Sequence, residues 1–117
     1  HYNLGDRMAN TFKNANLDIT NSAQDIYTCP ASTTAIVLSL RISNVDGSAN
    51  DTITAEWVDS DGTTKAYLGF TVSVPADAVL EMAGDSKIVL EASDKIQLTG
   101  GAASGDLEAF MSILEIS

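Results

Sequence analysis

Apolar and polar residues alternate along most of the chain with a period of two, the pattern of strands that bury one face. The run Ala35–Val45 is the cleanest: Ile36, Leu38, Leu40 and Ile42 fall on one face, and Val37, Ser39, Arg41 and Ser43 on the other. Ile53, Ala55 and Trp57 alternate with Thr52, Thr54 and Glu56, and Ala66, Leu68, Phe70, Val72 and Val74 with Lys65, Tyr67, Gly69, Thr71 and Ser73. Shorter strands are predicted at Ala78–Met82, Lys87–Glu91 and Lys95–Thr99, and a last one at Leu107–Ile116. Asn14–Thr20 and Gln24–Cys29 alternate more weakly. Asp46-Gly47 and Asp61-Gly62 read as turns, because glycine accepts positive φ without steric cost. Only Asn10–Ala15 and Pro75–Ala78 leave room for a turn of helix. Eight to nine short antiparallel strands separated by turns predict an all-β, two-sheet sandwich of jelly-roll type.

Composition narrows this picture. With 117 residues there is length for one domain. Residues 1–7 look foreign to the rest of the chain and read as a tag or vector remnant, with Met8-Ala9-Asn10-Thr11 as a natural start and 8–117 as a single sandwich domain. The charge is −10, from 16 acidic and 6 basic residues. Such a surface repels phosphate lattices and anionic headgroups, so neither nucleic acid nor membrane is expected as a partner. No apolar run approaches the roughly 18 residues of a membrane helix, and no signal-peptide pattern is seen. The single cysteine, Cys29, excludes an intrachain disulfide.

Candidate chemistry is sparse. Past His1 there is no histidine, so Cys–His and Ser–His arrangements are absent. Glu56, Glu81, Glu91 and Glu108 occupy outward strand positions, where solvated charge belongs. No enzyme activity and no cofactor are expected. Asp59 and Asp61 begin like a calcium loop, and Asp46 and Asp51 form a second acidic loop; together they would make a weak cation site if both lay at one end of the sandwich. A hairpin turn explains the first loop better, since Asp and Gly are favoured there for backbone reasons. Tyr67 and Tyr27 are candidates for stacking on a sugar, whereas Trp57 shares the inward phase and reads as core.

The last strand breaks the one-face rule. Leu107, Ala109, Met111 and Ile113 lie on one side, and Phe110, Leu114 and Ile116 on the other. Two apolar faces need two covers. One is the opposite sheet; the other is expected to be a second copy of the chain, with Tyr67, Phe110, Leu114 and Ile116 as the interface. The competing reading folds the N-terminal segment, with Phe12, Leu17 and Ile19, over this face.

Leu90-Glu-Ala-Ser-Asp-Lys-Ile-Gln-Leu98 and Leu107-Glu-Ala-Phe-Met-Ser-Ile-Leu114 resemble the last two strands of tumour-necrosis-factor-like jelly rolls, although Ser93 stands where that family usually has glycine. The resemblance implies a homotrimer. Met8-Ala-Asn-Thr-Phe-Lys-Asn14, Ile26-Tyr-Thr-Cys-Pro-Ala31 and Ser112-Ile-Leu-Glu-Ile-Ser117 resemble small acidic all-β proteins of bacteriophages, marine ones especially. That resemblance implies a virion accessory protein: a capsid decoration, or a tail or fibre component binding itself and other virion proteins. The alternative is a carbohydrate- or receptor-binding module that takes a surface glycan.

Overall fold

The computed structural model describes residues 9–102 and 105–117; the segment read as a tag, residues 1–7, lies outside them. The described residues form nine strands and no helix. The strands are β1 (Asn10–Asp18), β2 (Gln24–Thr28), β3 (Thr34–Asn44), β4 (Asp51–Val58), β5 (Lys65–Val74), β6 (Val79–Glu81), β7 (Ile88–Leu90), β8 (Lys95–Gly100) and β9 (Leu107–Ile116). One sheet has the order β1-β9-β3-β6, with β7 also paired to β3; the other has the order β2-β8-β4-β5. All pairs are antiparallel. The chain changes sheet at every connection except β4–β5 and β6–β7, which is the winding of a jelly roll. The predicted class and strand number are those observed.

The inward phases of both sheets make the core. Leu40, Ile42, Met111 and Ile113 from the first sheet are fully buried, as are Ile53, Ile96 and Leu98 from the second. Burial of each contributes about 1.5–3 kcal/mol relative to exposure. Cys29 joins them with its thiol donating to the Thr33 carbonyl (3.3 Å).

Strand β3 departs from the expected phase. Ala35 and Val37 are buried, whereas Ile36 and Leu38 are only half-buried; from Leu40 onward the inward residues are those expected. The pairing with β9 shifts between Val37 and Ser39. This bulge inserts Leu38 as an extra residue, and one extra residue exchanges the two faces of a strand. On its other edge β3 is covered in two pieces, by β7 at Ala35–Val37 and by β6 at Arg41–Ser43. The Glu81 carboxylate spans the gap, accepting the N–H groups of Leu40 (2.7 Å) and Ala83 (3.1 Å).

Bulges also disturb β5. Its register with β4 shifts on both sides of Ala55, Thr71 takes a positive φ of 46°, and Phe70, expected inward, is 61% exposed. The N-terminal segment is strand from Asn10, not a helical turn, and Pro75–Ala78 is a hydrogen-bonded turn (3.0 Å).

At one end of the sandwich the Asp94 carboxylate, 2% exposed, accepts the Glu91 N–H (2.9 Å), the Ser60 N–H (3.2 Å) and the Trp57 Nε1–H (3.3 Å). Trp57 is therefore half-buried with its indole nitrogen engaged, not a fully buried core ring.

Candidate functional site

The outer face of the first sheet carries an apolar row that crosses four strands. Phe12 pairs with Leu114, Leu114 with Ile36, and Ile36 with Val89, so β1, β9, β3 and β7 each contribute one residue at the same level. Phe12 is 75% exposed and Val89 56%. Ile116 lies one row above. Below, Phe12, Leu38 and Phe110 border a shallow depression of about 340 Å³ with Ser112 between them. The row Asn16, Phe110, Arg41 and Glu81 closes the surface with polar groups on either side of the phenyl ring.

The N-terminal segment extends this face and does not cover it. Because β1 lies beside β9, Phe12 points to the same side as Leu114, while Ile19 turns into the core. Phe110, Leu114 and Ile116 thus share one surface, as their phase predicted. Tyr67 is not part of it: it lies on β5 in the other sheet, opposite Glu56, with the Phe70 ring at 4.8 Å and tilted by 58°. The four residues expected to make one interface divide between two surfaces. Sequence periodicity missed Phe12, Ile36, Leu38 and Val89, because their common face depends on the bulge in β3 and on β1 pairing with β9.

Tyr27 is tied inward and lies apart from the exposed aromatic pair. Its hydroxyl donates to the Glu115 carboxylate, which also meets the Lys13 ammonium at 3.0 Å. Burial, then Glu115, pushes the Tyr27 phenol upward; the Tyr27 hydroxyl, then Lys13, holds the Glu115 carboxyl below its ordinary value. A depressed carboxyl contributes stability that is present above about pH 4.3 and is lost as pH falls through the folded value. A raised phenol contributes stability present below about pH 10 and lost as pH rises beyond it. The stability advantage of the native protein over Tyr27→Phe should therefore narrow between pH 9 and 11, measured as the difference in urea midpoints. A difference constant across that range would refute the assignment.

The four acidic residues proposed to share a cation do not meet. Asp46 and Asp51 line a pocket of about 170 Å³ together with Asn44, Asn50 and Asp106. Asp59 and Asp61 sit beyond the far end of β4, roughly 25 Å of strand away at about 3.3 Å per residue. Asp61 accepts the Thr64 hydroxyl (2.6 Å) and the N–H groups of Thr64 (2.7 Å) and Thr63 (2.8 Å), which together hold its carboxyl down at about 2 and mark a turn. In the first pocket the N–H groups of Ser48 and Ala49 hold Asp46 low, whereas the neighbouring Asp46 raises Asp106. Asp106 was missed because the long β8–β9 connection had no pattern to place it. Among the described residues no group of three or more His, Cys, Asp or Glu side chains is disposed to hold a metal ion. No helix among them is long and apolar enough to cross a membrane.

The fold defines a jelly-roll sandwich whose exposed features are a sheet face and its edges. No protein-family model matches the chain, and no curated protein does. Solved structures do. The chain is similar to a subunit from the study "Bacillus endospore appendages form a novel family of disulfide-linked pili", with a TM-score of 0.54, 15% identity, and coverage of 95% of this chain and 88% of that one. It is also similar to a chain in the structure of infectious bursal disease virus Gx strain, with a TM-score of 0.54 and 12% identity. There it covers 94% of this chain but only 32% of the viral one. At these identities the likeness is one of fold.

Proposed function

We propose that this chain is a structural subunit that self-associates through the outer face of its β1-β9-β3 sheet, as a virion-associated component of the bacteriophage type. Its mechanism is association, not turnover. The observation that supports this most is the apolar row Phe12, Leu114, Ile36 and Val89, with Phe110 and Leu38 beside it. Soluble monomers rarely leave a contiguous patch of this kind uncovered. Similarity in fold to a pilus subunit and to a viral chain agrees with a role in assembly. The resemblance of the last two strands to threefold jelly rolls implies a trimer through this face, which native mass spectrometry reads as a copy number divisible by three.

Phe110 is 45% exposed, so a charge there leaves the core intact. Phe110→Asp should sediment as a smaller species than the native protein with little change in melting temperature. An unchanged sedimentation profile would sink the proposal.

The other sheet favours a second reading. Tyr67 and Phe70 stand exposed at its edge, and Tyr67 continues a register row through Glu56, Gln97 and Asp25. Two aromatic rings beside hydrogen-bonding side chains suit a glycan. A glycan array read with and without chelator distinguishes a sugar-binding module from an assembly subunit.

A further inference from the structure

We infer that β1 is the strand through which two copies join, edge to edge and antiparallel, so that the first sheet continues across a twofold axis at Asn14. This rests on the assembly reading above and specifies one contact within it. An exposed sheet edge offers unpaired N–H and C=O groups to another chain, and folds normally blunt such edges with bulges, interruptions or charge. Three of the four edges here are blunted. β2 is five residues long and bulged at Asp25–Tyr27. β5 is bulged twice, with Thr71 at positive φ. The edge beyond β3 is broken into two three-residue pieces, β6 and β7. β1 has neither a bulge nor an interruption: its nine residues pair with β9 from Asn10–Ile116 to Asp18–Glu108 without a register shift, and its only charges are Lys13 and Asp18.

The hydrogen-bond phase identifies which groups are free. Ala9 and Ser117 exchange both backbone bonds (2.9 and 3.0 Å), and the Ile19 N–H reaches the Leu107 carbonyl (3.0 Å). In an antiparallel ladder such pairs recur every second residue. Odd-numbered residues of β1 therefore face β9, and Asn10, Phe12, Asn14, Asn16 and Asp18 turn their N–H and C=O groups to the open edge. Four of these five are uncharged. Lys13, the one basic residue of the strand, is engaged by Glu115.

One register uses all five. With Asn14 opposite Asn14 of a second copy, Phe12 falls opposite Asn16 and Asn10 opposite Asp18, and every free N–H finds a carbonyl. No like charges stand opposite each other: Lys13 meets Ala15, and Asp18 meets Asn10. A regular edge with no regular counterpart elsewhere on the molecule pairs with itself, which is an isologous twofold contact. The edge contact and the face contact are separate surfaces, so each copy has two kinds of neighbour.

The register makes a positional test possible in the full chain. Opposed Cα atoms of a hydrogen-bonded pair lie about 5.5 Å apart, within disulfide reach. Under mild oxidation Asn14→Cys should run mainly as a covalent dimer on a non-reducing gel, and Asn10→Cys as a monomer. Combining Asn10→Cys with Asp18→Cys should restore cross-linking. The native protein is the background control, because Cys29 is buried. Asn14→Pro removes an N–H that β9 does not use, so it should weaken dimerisation at least tenfold while the protein stays folded by circular dichroism. Phe110→Asp, away from the edge, should keep the Asn14→Cys cross-link while losing face assembly. If the native protein sediments as an oligomer but Asn14→Cys cross-links no better than Asn10→Cys, edge pairing is wrong and face assembly stands. If the native protein is a monomer at every concentration, both fall.

Discussion

Val37→Asp should leave the chain unfolded, whereas Leu38→Asp, one residue along, should fold. Val37 is fully buried between the sheets among apolar side chains, and no described lysine or arginine is buried with it. The substitution removes the burial of a valine and places an acid among apolar groups, at a combined cost of roughly 5 kcal/mol. A domain stable by about 5–15 kcal/mol has little margin for that. Leu38 is the extra residue of the bulge and faces the outer depression, where a carboxylate reaches water. Soluble yield and far-ultraviolet circular dichroism of the two variants check the contrast. Equal stability would mean that the β3 bulge is misplaced.

The same residue pair shows where the sequence stopped being legible. Alternation locates every strand of the second sheet, and it places both faces of β9 correctly because that strand keeps one phase from end to end. It assigned Leu38 inward and Val37 outward because Ala35–Val45 alternates cleanly on paper, and a bulge adds a residue without leaving a turn residue or glycine behind. The β5 bulges misplace Phe70 in the same way, although there Gly69, paired with Ala55 between the two shifts, is a signal inside the strand. Strand β1 was partly hidden: Asn and Lys are poor strand formers, and its register comes from β9, ninety-odd positions away in the chain. The proposed assembly face is therefore half visible in the sequence, as Phe110, Leu114 and Ile116, while Phe12, Ile36, Leu38 and Val89 need tertiary pairing to join them. Charge loops could not be assigned to ends without topology, so Asp46 and Asp51 were grouped with Asp59 and Asp61.

Asp94→Ala should destabilise the protein by about 3 kcal/mol. Its two oxygens collect the N–H groups of Glu91 and Ser60 and the indole of Trp57, from three different segments. The Asp94 main chain continues the knot: its carbonyl accepts the Cys29 N–H (2.8 Å), and the Cys29 carbonyl accepts the Ser93 N–H (2.9 Å). The Asp94 carboxylate thus fastens the β7–β8 and β4–β5 connections to each other, and the main chain at Ser93 and Asp94 ties in the β2–β3 connection. Hydrogen bonds to a charged acceptor contribute about 1.5–3 kcal/mol each, and donors that reach water after its loss recover part of that. Asp94→Asn keeps one carbonyl oxygen and should lose about half as much. Urea denaturation of the three proteins tests the series; an alanine variant within about 0.5 kcal/mol of the native protein would show that the knot holds without its carboxylate.

The opposite end is fastened by the buried amide of Asn44, which donates to the Ala49 (3.0 Å) and Val74 (2.9 Å) carbonyls, and it carries a different charge. Asp46, Asp77 and Asp106 belong to the connections gathered there, Asp18 and Asp51 end the strands beside them, and among the described residues no lysine or arginine joins them. The other end mixes Asp59, Asp61 and Glu91 with Lys65 and Lys95. The sandwich therefore has a head and a tail. Two heads brought together repel at separations below the screening length of about 8 Å at physiological salt, whereas head against tail offers acid to lysine. Any array that stacks these sandwiches end on inherits a direction from that asymmetry, and added salt should blur it.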